Sequence, residues 1–113
     1  RSTDATLYGI QAATGGNAKL VHVPLDFLEA QKVVVGGDLP IFAPGTGDSA
    51  GFHRVSVKRA IDKGLSYRPL ATTINDLLAW WDKLPAERRA KPNSGISRER
   101  QDELLKLWRA SQR

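Results

Sequence analysis

The 113-residue chain contains no cysteine and no methionine. The first absence removes disulfides, thiolate metal ligands and thiol nucleophiles, and leaves the redox compartment unread. The second, in a chain that opens Arg1-Ser2-Thr3-Asp4 directly on a helix-start signal, points to a fragment or a processed product. Long apolar runs are also missing: none approaches the roughly 18 residues of a membrane-spanning helix. No charged segment followed by an apolar stretch opens the chain as a secretory leader would. Histidine is scarce. His22 and His53 lie far apart, with no His-x-x-x-His and no paired carboxylates, so no metal site is expected.

What is present is ordinary for a globular chain. Apolar residues make up 41% and charged residues 26%, which speaks against wholesale disorder. A mass of 12.4 kDa predicts one domain over 1–113, burying about two-thirds of the unfolded chain's surface. The net charge of +5 invites a nucleic-acid reading, but the charge is unevenly placed. Arg88, Arg89, Lys91, Arg98, Arg100, Lys106, Arg109 and Arg113 stand against Glu99, Asp102 and Glu103, whereas residues 1–87 balance nine bases with nine acids. A basic tail of this kind is usually a solvated helix face. A small basic module binding nucleic acid or protein is therefore the alternative to the reading reached below.

Ser2 or Thr3 caps a first helix that Gly15-Gly16-Asn17 stops. Residues 19–23 read as a short β-branched strand closed by Pro24, and 25–31 as a short helix. Residues 36–51 hold five of the ten glycines and two of the six prolines around Leu39, Ile41 and Phe42, a long loop and the first place to look for ligand contacts. Residues 52–57 alternate like a strand. Ser56 caps a helix over 57–63 that Gly64 ends, and 65–68 form one more extended piece. The strongest helix spans 72–83, with Ile74, Leu77, Leu78 and Trp81 at i, i+3, i+4 and i+7, a stripe expected to organise the core. A linker at 91–97 leads to a terminal helix capped by Ser97. The fold class expected is α+β, a small sheet of two or three strands with about four to five helices.

Two motifs imitate chemistry. Gly47-Asp48-Ser49-Ala50-Gly51 matches G-x-S-x-G, yet no strand precedes it, no helix follows, and no histidine occurs beyond His53. Gly45-Thr46-Gly47 with Gly51 approximates a dinucleotide fingerprint, but its last spacing is one residue too long. No acid lies between Asp62 and Asp76, where the ribose contact belongs. Trp80, Trp81 and Trp108 fall in helical stripes and read as core rather than as stacking platforms. Arg54 and Arg68 differ, because each sits in or at the end of a strand-like segment, where a guanidinium reaches a carboxylate or phosphate bidentately. With Asp38 of the long loop and His53 beside Arg54, they form the candidate substrate-binding set: Asp38, His53, Arg54 and Arg68. No residue is assigned to catalysis, cofactor or metal.

The run Arg54-Val55-Ser56-Val57-Lys58-Arg59-Ala60-Ile61-Asp62-Lys63-Gly64-Leu65-Ser66-Tyr67-Arg68-Pro69-Leu70 resembles the C-terminal end of extended short-chain dehydrogenase/reductases, the NAD-dependent epimerase/dehydratase and isoflavone-reductase-like group. In that family a Gly-Leu, two-residue, Arg-Pro-Leu joint leads into a helix ending Leu-Ala-Trp, matched by Leu78-Ala79-Trp80. Val21-His22-Val23-Pro24, Asp26-Phe27-Leu28, Asp38-Leu39-Pro40 and the tail from Leu84 to Arg100 follow the pattern, so the likeness runs over about residues 4–109. It implies the substrate-binding part of a cytoplasmic NAD(P)-dependent oxidoreductase or epimerase that closes over a small-molecule substrate. NAD or NADP would be held by a missing N-terminal nucleotide-binding domain and not by this fragment, with no nucleic acid or membrane involved. Neither Tyr8 nor Tyr67 has a lysine four residues on, so the family's Tyr-x-x-x-Lys pair is absent and the fragment alone is expected to be inactive. A surface left without its domain is open to pairing with a second copy as a homodimer.

Overall fold

A computed structural model describes residues 1–113. It contains six α-helices: α1 (Thr3–Thr14), α2 (Leu25–Ala30), α3 (Lys58–Asp62), α4 (Leu70–Asp82), α5 (Ala86–Ala90) and α6 (Arg98–Ser111), with one 3₁₀ turn at Gly47–Ser49. The expected α+β class is wrong, because there is no sheet. The one β-type contact is an isolated bridge between Val35 and Leu39. A strand needs a ladder partner, and a β-branched segment of five residues without one has no way to satisfy its backbone. Residues 19–23 run irregularly into Pro24, which caps α2. Phe52 and His53 belong to turns, with the Phe52 amide on the Ser49 carbonyl and the Arg54 amide on that of Gly51, both 3.0 Å. Residues 65–68 lead into Pro69, which caps α4.

The chain divides into two compact units, Arg1–Leu20 with Val57–Lys91, and Val21–Ser56 with Pro92–Arg113. In the first, α1 packs on α4. Ser2 caps α1 by accepting from the Ala5 amide at 3.2 Å, and Gly15 ends it at φ 67°. Helix α3 closes with Gly64 at φ 97°, its amide on the Ile61 carbonyl (2.9 Å) and the Leu65 amide on that of Ala60 (3.0 Å). These crossed bonds are a Schellman ending. Its start differs from expectation: Val57 holds the cap position and Ser56 does not. Ile74 alone of this unit is buried, at 8% exposure.

In the second unit, α6 presents Arg100, Leu104 and Trp108 at i, i+4 and i+8 along one face. Ser97 caps α6 through the Arg100 amide at 3.1 Å. Trp108 meets Phe27 of α2 edge-on at 5.0 Å. The Arg100 guanidinium donates to the Gln31 carbonyl (2.6 Å), one of the groups a helix end leaves without an internal partner, and to Glu103 (2.6 Å). Helix α2 ends in a second Schellman pair, Lys32 on Glu29 (2.8 Å) and Val33 on Leu28 (3.0 Å). Here a lysine takes the left-handed position at φ 59°, and the residue after it, Val33, is buried with Leu104.

Three buried side chains make a very small core. The chain exposes 9451 Å², where a compact monomer of 12.4 kDa exposes about 6,100 Å². Folding hides roughly half of the unfolded surface, not the expected two-thirds. No helix is long and apolar enough to cross a membrane.

Candidate functional site

The long loop is built from successive local turns. The Val34 amide donates to Asp38 Oδ2 (2.9 Å) while the Asp38 amide returns to the Val34 carbonyl (2.8 Å), so this carboxylate closes its own loop. Leu39-Pro40-Ile41-Phe42 then forms a turn, the Phe42 amide on the Leu39 carbonyl at 3.3 Å. Proline at the second place and a positive φ at the third are the type II pattern, which normally takes glycine there. The residue present is Ile41, at φ 61° and 93% exposed. A β-branched residue in left-handed backbone costs about 1–2 kcal/mol. Ile41→Gly is therefore expected to raise the unfolding free energy of its unit by about 1 kcal/mol, read by urea denaturation, and an unchanged or lower midpoint contradicts the strained turn.

Beyond it, the Ser49 hydroxyl donates to the Pro44 carbonyl at 3.0 Å and also faces that of Thr46 at 3.4 Å. The serine of the G-x-S-x-G match thus holds a turn together and sits in a 3₁₀ segment, not a nucleophile elbow. The turns end at His53, whose ring stands edge-on to Phe52 at 5.0 Å, and at Arg54, whose side chain is exposed without an acidic partner. Phe52 and Val55 on either side are 68% and 76% exposed.

Arg68 lies in the other unit. Its Nη1 donates to Asp76 Oδ2 at 2.6 Å and its Nε to Thr73 Oγ1 at 2.9 Å, an exposed anchorage to α4. Such a pair adds at most about 1 kcal/mol of stability, and it occupies the donors that a ligand would need. Of the four candidates, Asp38, His53 and Arg54 share one unit, and only Arg54 has an unengaged charged end. The apolar rim of Ile41, Phe52 and Val55 escaped the sequence reading, since hydrophobicity alone does not reveal which residues of a glycine-rich loop face solvent. No group of three or more His, Asp or Glu residues is placed to hold a metal ion, and no polar side chain is buried. No family model, no curated protein and no solved structure matches the chain.

Proposed function

We propose that this chain is the C-terminal substrate-binding portion of an NAD(P)-dependent epimerase/dehydratase-type oxidoreductase, closing over a small-molecule substrate held against a nucleotide-binding domain encoded upstream. The observation that carries the reading is the exposed turn at 52–55. There Arg54 and His53 stand among the uncovered apolar side chains of Phe52 and Val55, an arrangement that costs free energy until another surface covers it. The joint from Gly64 to Leu70 and the helix ending Leu78-Ala79-Trp80 supply the family assignment.

In this reading Arg54 grips a carboxylate or phosphate of the substrate bidentately, and His53 adds a hydrogen bond beside it. Asp38 keeps the loop in shape and offers its second oxygen. The nicotinamide supplies the hydride or accepts it when the parent enzyme is assembled. Arg54→Ala in that enzyme should raise KM by about tenfold or more with kcat changed less, since a charge-assisted hydrogen bond contributes about 1.5–3 kcal/mol. Its melting temperature should stay put, because Arg54 has no ion pair to lose. A variant that melts several degrees lower with unaltered kinetics makes Arg54 a structural residue and removes the site.

One observation favours the alternative of a basic binding module: Lys106, Arg109 and Arg113, at i, i+3 and i+7 along the C-terminal end of α6, are exposed and without acidic partners. Fluorescence anisotropy with a labelled duplex separates the two readings. An affinity that falls steeply between 50 and 200 mM salt supports the module, and no binding at either concentration supports the enzyme portion.

A further inference from the structure

We infer that the first unit pairs with the same unit of a second copy through the flank of α4 that carries Leu77 and Trp80, the two helix pairs closing into a four-helix bundle. This rests on the packing of α1 and α4 and is independent of the enzymatic reading, which concerns the other unit. At 3.6 residues per turn, Ile74, Trp81 and Leu70 share the centre of one α4 face, and Leu77, Thr73 and Trp80 lie about 60–120° around from Ile74. Helix α1 covers the Ile74 side, where Leu70 packs so closely over Gly9 that a Cβ there would stand 2.7 Å from Leu70 Cδ2. The flank remains open, with Leu77 52% and Trp80 53% exposed.

A pair of helices burying a single isoleucine has half of a bundle core, and helical layers are stable when each apolar stripe is covered. A second copy supplies the missing half through a two-fold axis, which brings each stripe against itself. The flank suits such self-pairing because it holds no charged side chain, so no like charges meet at the axis. The area is sufficient as well. The chain exposes about 3,300 Å² more than a compact monomer of its mass, and a standard interface covers only about 800 Å² on each partner. The unit's bases, ten against five acids over Arg1–Leu20 and Val57–Lys91, lie off this flank and repel across the dimer. Added salt screens that repulsion and tightens the pairing, whereas an anionic partner would be loosened.

Sedimentation equilibrium of the whole chain over a concentration series tests this. The expected result is a mass of twice 12.4 kDa, with a dissociation constant that falls between 50 and 500 mM salt. Leu77→Glu with Trp80→Glu should weaken association at least a hundredfold while leaving the circular dichroism of the monomer unchanged, because both side chains are exposed within the unit. A single substitution, Leu77→Gln, serves if the double variant loses helix, and should weaken association at least tenfold. A wild-type chain that stays at 12.4 kDa throughout overturns the proposal, and so does a folded variant that associates as tightly as the wild type.

Discussion

Ile74→Ala is expected to melt the α1–α4 pair. Removing a buried isoleucine to alanine costs roughly 2–5 kcal/mol, and this one is the only buried side chain of its unit. The stabilising terms left to the pair are two good helix ends, Ser2 and Gly15 on α1, and half-buried Leu70 and Trp81, which do not replace it. Whole domains hold only about 5–15 kcal/mol in total, so a unit with one buried residue has little to spare. Amide hydrogen exchange followed residue by residue should show protection in α4 falling at least tenfold, with α6 unaffected. Retained protection in α4 would mean that Leu77, Leu78 and Trp80 hold the pair, which requires them to be covered.

Leu104→Ala should act in the same way on the other unit and by a similar amount, roughly 2–5 kcal/mol. Leu104 sits one turn from both Arg100 and Trp108, so its loss leaves a gap beneath the contacts that join α6 to α2. The Phe27–Trp108 edge contact, worth about 0.5–1.5 kcal/mol, and the Arg100 bond to the Gln31 carbonyl both depend on α6 staying seated. Trp108 emission should shift to the red as the ring is wetted, and protection in α6 should fall while α4 keeps its own. A blue or unchanged Trp108 emission together with intact α6 protection contradicts this account of the second unit.

What could be read from the residues alone was the chemistry of helix ends. Ser2, Gly15, Ser97 and Gly64 stand where expected because a cap is decided within about four residues. Helix α4 was legible from its stripe, though it begins at Leu70 rather than 72, since Pro69 fits the position just before a helix start. Tertiary facts were not legible. Period-2 alternation over 52–57 named a strand, but no second strand exists to receive it, and local turns at Gly51 and Ser49 won. The stripe from Ile74 to Trp81 was expected to form the core, yet a single covering helix buries only its Ile74 side, leaving Leu77 and Leu78 exposed and Trp81 half-buried.

The candidate site divides on the same line. Asp38 finds its partner four residues back and Arg68 finds one eight residues ahead. Such pairings depend on where a loop and a helix start place their backbones, which residue type does not fix. Arg54 remains a candidate because nothing nearby in the chain answers its charge, and that uncovered arginine among uncovered apolar side chains is what links the geometry to a substrate.

The central claim, that this chain is the substrate-binding portion of a dinucleotide-dependent enzyme, is tested most directly by reading the coding sequence upstream of Arg1 to its start codon. The account predicts an open frame of domain length carrying a glycine-rich strand–turn–helix near its beginning and a Tyr-x-x-x-Lys pair further on. A start codon a few positions before Arg1, or a long upstream frame with neither feature, would contradict it.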